Sequence, residues 1–147
     1  MLSGYHSPID AIRDSIDRNI EGALVRERNR QRKDVEFGHF KNVVVSRLGS
    51  DPAVAKVVST WRPGKEPVNC VMQILNVKNW SQQQRTDINA MYISFKHLNE
   101  EIWDAERKYG QNPQVRVFID SIRKGDDIRP LAFERKLQRI LNNKEAM

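Results

Sequence analysis

The chain has one cysteine in 147 residues, only three histidines and few aromatic side chains. A lone Cys70 excludes an intramolecular disulfide. It lies in the apolar run Val68-Asn69-Cys70-Val71-Met72, where a buried, inert thiol is expected. His6, His39 and His97 are too far apart for zinc-ligand spacing, and no other metal set is expected. No apolar run approaches the roughly 20 residues of a membrane span. Residues 1–8 lack the apolar segment of a signal peptide. The expected setting is therefore reducing and cytoplasmic. A Gly-rich phosphate loop, a nucleophile elbow and a His-containing catalytic pair are all missing. The chain is read as a non-enzyme that needs no cofactor. Strand-type alternation is nearly absent.

What is present is charge of one sign. Charged residues make up 30% of the chain, the net charge is +6 and the pI is about 9.7. Such a surplus favours polyanionic partners. Five cations fall within eight positions, Arg26-Glu27-Arg28-Asn29-Arg30-Gln31-Arg32-Lys33. They follow an apolar stripe, Ile9, Ile12, Ile16, Ile20 and Leu24, at helical spacing. Ser7-Pro8 is a helix start, and Asp10 and Asp14 suit its N-terminal end. The pattern predicts a helix from about residue 8 to the low thirties, followed by a bend near Asp34 or Gly38.

Phe37, Phe40, Val43, Val44 and Leu48 then mark a second helix, with a short strand at Val43-Val44-Val45 as its rival. Gly49 reads as a stop, and Ser50-Asp51-Pro52 as a start leading to Val54, Val57, Val58 and Trp61. Residues 62–67, with two prolines and a glycine, form the clearest break. Val68, Val71, Met72 and Leu75 follow on a short helix. Ser81 and Gln84 have capping-box spacing, ahead of Ile88, Met91, Tyr92, Phe95 and Leu98. A restart is read at Asn99-Glu100-Glu101, with Gly110 as its stop. Asn112-Pro113 and Arg129-Pro130 open the last two helices, Asp126-Asp127 forms a turn, and residues 142–147 are expected to fray. The fold class is all-α: a compact bundle of about seven or eight helices with a long amphipathic N-terminal helix. Residues 1–34 form an arm or dimerisation element, and 35–147 a helical globular domain with the break at 62–67.

The candidate nucleic-acid-binding residues are Arg26, Arg28, Asn29, Arg30, Arg32 and Lys33 in the first group, and Arg123, Lys124, Arg129, Arg135, Lys136 and Arg139 in the second. Positions 26, 30 and 33 share one helix face. Arginine rows pair with phosphates, and Asn and Gln reach base edges. Residues 118–141 read as helix, Gly-containing turn and basic helix, the general shape of a helix-turn-helix. A fainter version spans 102–119, where Glu106 occupies the place that usually needs a small residue. Trp80 is the aromatic expected to be partly exposed and available for base stacking. Glu100, Glu101, Asp104 and Glu106 read as a solvated face or dipole complement at a helix start rather than a metal site.

These features predict a small basic protein that binds nucleic acid, DNA over RNA, as a transcription regulator of phage or mobile-element type. The alternative is a helical protein-interaction module, an adaptor or inhibitor of a larger machine. A homodimer through the first helix and a protein partner are both compatible with the pattern, and a membrane is not an expected partner.

Overall fold

The structure is a computed structural model. It describes residues 8–125 and 128–146, with side chains in the first helix given at positions 12 and 16 and from 18 onward, and those beyond Asn143 left out. Six helices follow in order: α1 (Pro8–Leu48), α2 (Pro52–Val58), α3 (Pro67–Leu75), α4 (Gln82–Tyr109), α5 (Pro113–Arg123) and α6 (Pro130–Ala146). The described residues are all-α, as expected, but the helices are fewer and longer than the sequence suggested.

Five of the six helices begin at proline, where a missing N–H has no helical partner to lose. Asp51 caps α2 by accepting from Ala53 N at 2.9 Å, and Asn112 caps α5 by accepting from Gln114 N at 2.9 Å. The capping box at the start of α4 is present. Ser81 Oγ accepts from Gln84 N at 3.1 Å, and the Gln84 side chain accepts from Ser81 N at 2.9 Å. At the break, Lys65 N donates to Arg62 O at 3.2 Å and Gly64 has φ +93°. This is the backbone of a type II turn with Pro63 and Gly64 at its centre. The Ser7 cap and the Asp126-Asp127 turn lie outside the described residues.

Two expected boundaries do not form. α1 runs unbroken through Asp34 and Gly38 to Leu48, so neither the bend nor the Val43–45 strand exists. A single helical glycine costs about 1 kcal/mol. Burial of Phe37, Phe40 and Val44 immediately around Gly38 outweighs that. α4 likewise passes through Asn99-Glu100-Glu101 without restarting, because Ile88, Met91, Phe95, Leu98, Ile102 and Ala105 bury one continuous face.

That continuous face organises the core in two parts. Phe37, Phe40 and Val44 of α1 meet α2, α3, Trp61, Trp80 and the first half of α4. The second half of α4 meets α5 and Phe133 and Leu137 of α6. Phe40 and Phe95 pack edge to face at 4.8 Å, and Phe118 stacks on Phe133 at 5.3 Å. Trp80 is buried and donates from Nε1 to Ile74 O at 2.9 Å, so the expected exposure is corrected. Cys70 is buried as expected, and burial pushes its thiol up to about 11.

α1 has 41 residues and is about 60 Å long. Nearly every described residue from Ile12 to Val35 is exposed, and the core begins at Phe37. The N-terminal two-thirds of α1 is therefore an arm that leaves the body. No described helix is long and apolar enough to cross a membrane. Deleting residues 1–30 keeps every core side chain and Arg32. The shortened chain is expected to unfold cooperatively within a few degrees of the full chain in thermal circular dichroism. Loss of the cooperative transition would contradict the placement of the core.

Candidate nucleic-acid interface

The two basic groups occupy different surroundings. In the first, Arg26, Arg28, Asn29, Arg30, Arg32 and Lys33 are all exposed on the outgoing part of α1. Arg30 pairs with Glu27 at 2.5 Å, within the same turn. The hydrogen bond and charge of that pair raise the Arg30 pKa and lower that of Glu27. Arg32 lies over the Trp103 ring of α4 at 4.6 Å. The run is thus a row of exposed side chains that meets the body at its Arg32 and Lys33 end.

Arg123 of the second group is engaged elsewhere. It pairs with both Glu106 carboxylate oxygens, at 2.7 and 2.6 Å, and lies over the same Trp103 ring at 4.7 Å. Arg116 adds a third hydrogen bond to Glu106 at 2.5 Å. Burial alone would raise the Glu106 pKa. The hydrogen bonds and charges of Arg123 and Arg116 outweigh it and hold the carboxyl below its usual value. The backbone carbonyl of Arg123 accepts from Asn42 Nδ2 at 2.7 Å, which ties the end of α5 to α1. Arg123 is therefore a joint between α1, α4 and α5, with its charge balanced by Glu106.

This joint also accounts for the residue that fitted the fainter helix-turn-helix badly. Glu106 is turned into the α4–α5 corner as the acceptor of two arginines. It is not an N-terminal dipole complement, because α4 starts at Gln82. Asp104, two positions earlier, pairs with Arg107 at 2.5 Å and Lys108 at 3.1 Å on the exposed side.

The remaining members, Lys124, Arg129, Arg135, Lys136 and Arg139, are exposed. Lys136 lies over Phe118 at 5.1 Å. α6 buries Phe133 and Leu137 against α4 and α5. Its opposite side carries Arg135, Gln138, Arg139 and Asn142, all exposed at spacings of three, four and seven. Those four share one helix face. Gln138 and Asn142 were missed by the sequence reading, although the spacing that pairs them with Arg135 and Arg139 is present there. The outward positions of α5 are Gln114, Val117 and Asp120. Of the two helix-turn-helix readings, the one ending in α6 presents the cationic second helix.

A further group was missed outright. Lys33, Lys65 and Lys96 reach one concavity of about 220 Å³ beside Tyr92, which Glu36 and Glu66 also line. Lys33 continues the face of Arg26 and Arg30. The concavity therefore extends the basic row from the arm onto the body with one net positive charge. No local pattern joins residues 33, 65 and 96, so only the folded chain displays it.

No protein family, curated protein or solved structure matches this chain.

Two predictions concern the joint. Replacing Arg123 by Ala leaves the half-buried Glu106 with Arg116 alone. It is expected to destabilise the chain by about 3 kcal/mol in urea unfolding, and the double variant Glu106→Gln, Arg123→Gln by less. The second concerns His39, which is 1% exposed and has no hydrogen-bond partner for either ring nitrogen among the described residues. Burial, and then the charge of Arg123, lower its pKa from 6.5 to about 4. The fold keeps this ring neutral, so unfolding takes up a proton between those two values. Stability is complete above pH 6.5 and falls by about 3 kcal/mol as pH drops to about 4. The Glu106 contribution is lost only below its ordinary value of 4.5. His39→Phe is expected to flatten the pH 6.5–4.5 slope in denaturant titrations, and an unchanged slope would refute the assignment.

Proposed function

We propose that this chain binds double-stranded DNA as a small transcription regulator, with α6 as its reading helix and the basic row of α1 as its phosphate contact. One observation carries the reading. Arg135, Gln138, Arg139 and Asn142 are exposed on the side of α6 away from Phe133 and Leu137, and Gln138 and Asn142 also line the concavity that residues 106–113 and Arg116 form at the α4–α5 corner. Arginine reads guanine through O6 and N7, and Gln or Asn reads adenine through N6 and N7. The preceding helix and turn hold that face outward. Gly125, at φ +117°, makes the turn possible, and Asn42 fixes the end of α5.

The 26–33 segment has a complementary role. Its side chains alternate Arg with Asn and Gln on a stretch of helix that meets the body at Arg32 and Lys33 and is otherwise exposed, which leaves the rest of the row open to phosphates. DNA is favoured over RNA because the A-form major groove is too narrow to admit a helix. Helix-turn-helix regulators of phage and mobile elements are the class this arrangement resembles. The exposed isoleucine stripe supports a second role, protein docking, on the other half of the same α1.

Fluorescence anisotropy with duplexes of several sequences tests the reading. Affinity is expected to fall several-hundredfold between 50 and 200 mM salt, as about five phosphates exchange their counterions. Arg135→Ala with Arg139→Ala is expected to cost about a hundredfold and to relax sequence preference. Arg26→Ala, Arg30→Ala and Lys33→Ala together should weaken all duplexes alike and flatten the salt slope by two to three. Lys56→Ala, on the exposed side of α2, is the control. A flat salt response, or equal losses from the control, would reject the reading.

A further inference from the structure

The largest unexplained feature is the apolar stripe on the arm. Ile12, Ile16, Ile20 and Leu24 are 60, 51, 52 and 58% exposed. Continuing their line along α1 leads through Glu27, Asp34 and Val45, all exposed. Phe40 and Val44, which enter the core, lie on the other side of the helix, whereas Phe37, also in the core, is about seven turns from Ile12 and lies near that edge of the stripe. The middle of the stripe is therefore turned away from the body, while its Ile12 edge continues to Phe37 and its Leu24 edge to Asn42, which both touch the body. The stripe is also about as large as the biggest apolar patch of a typical monomer, roughly 300–600 Å². An isolated arm of this length, with Gly22 inside it, has little reason to stay helical alone.

We infer that the stripe is covered by the same stripe of a second copy, in antiparallel orientation. Charge selects both the occupant and the direction. Residues 8–21 contain Asp10, Asp14, Asp17 and Glu21 against Arg13 and Arg18. Residues 26–33 contain five cations against Glu27, of which Arg26 and Arg28 fall within the paired region. A parallel pair sets each block beside its like. An antiparallel pair centred at residue 18, midway between Ile12 and Leu24, sets Asp10 level with the partner copy's Arg26. It also opposes the two helix dipoles. Two such stripes together remove on the order of 1,000 Å² from water, the lower edge of a specific interface. The expected association is micromolar.

The pairing leaves the cations beyond Arg28 uncovered and fixes their spacing. Residue 30 lies twelve positions from the centre in each copy, which places the two basic segments about 36 Å apart along the pair. One turn of B-DNA is about 34–36 Å, the half-site spacing of dimeric regulators. Only this last match rests on the DNA-binding reading. The dimer and its direction stand without it.

The test uses the full chain free of nucleic acid. Gln31 sits on the stripe side of the helix beyond the paired region, and Gln31→Cys accepts a nitroxide. The wild-type chain, whose only thiol is buried, serves as the labelling control. Sedimentation equilibrium is expected to give a micromolar dimer, and double electron–electron resonance a separation of about 40 Å, set by thirteen residues on each side of the centre at 1.5 Å each. Ile16→Asp with Ile20→Asp should weaken association at least a hundredfold and leave the thermal transition of the body in place. A monomer at millimolar concentration, a separation below about 20 Å, or a dimer that survives the two Asp substitutions would each overturn the inference. If the dimer forms as stated and duplex DNA does not bind, the DNA reading alone fails.

Discussion

The ion pair between Arg123 and Glu106 is the constraint on which the rest of the arrangement depends. Glu106 is near the end of α4 and Arg123 is the last residue of α5. Their two-point contact fixes the angle between those helices, and Arg116 secures the same carboxylate. Trp103 and Asn42 extend the joint to α1 through Arg32 and the Arg123 carbonyl. A half-buried bidentate pair of this kind contributes less to net stability than to geometry, because desolvation offsets much of its attraction. Its effect is to fix where α5 ends, and so where α6 begins. Arg123, which the sequence offers as a ligand-binding cation, is in the folded chain the residue that positions other cations.

The first helix divides its labour along its length. Its C-terminal third supplies Phe37, Phe40 and Val44 to the core, its middle carries exposed arginines, and its N-terminal part shows an apolar stripe. A helix transmits rigidity along its axis, so anchoring one end in the body orients the other two functions. Arg32 over Trp103 is the last tie before the chain leaves the body. The proposed dimer and the proposed phosphate contact are consequences of that one rigid element, and both would be lost if the chain bent at Gly38.

The helical class, the proline starts and most of the core were legible because each has a local cause. Proline at the first turn, Asp, Asn or Ser before it, and apolar residues three and four apart act within one or two turns. The boundaries, Trp80 and Glu106 were decided by non-local effects. Gly38 and the Asn99-Glu100-Glu101 segment look like boundaries locally, but burial against other helices keeps the backbone helical through both. Trp80 sits beside a cap in polar sequence, yet α3 and α4 close over it and Ile74 takes its N–H. Glu106 fits no helix-turn-helix rule until Arg116 and Arg123, ten and seventeen residues away, are brought to it. Gln138 and Asn142 stand at helical spacing from Arg135 and Arg139, a local signal, but they are neutral and so do not stand out beside the cations. The Lys33, Lys65 and Lys96 group had no signature in the chain at all.

The central claim is that the outward face of α6 meets the edges of bases. The most direct measurement is a titration of the isotope-labelled chain with duplex DNA, following the side-chain amide signals of Gln138 and Asn142 and the Nε–H signals of Arg135 and Arg139 by nuclear magnetic resonance. The account predicts that these four signals move together and saturate at one stoichiometry, while the Nε–H signal of Arg123 in the Glu106 joint stays in place. Saturating binding that leaves all four unmoved would contradict it.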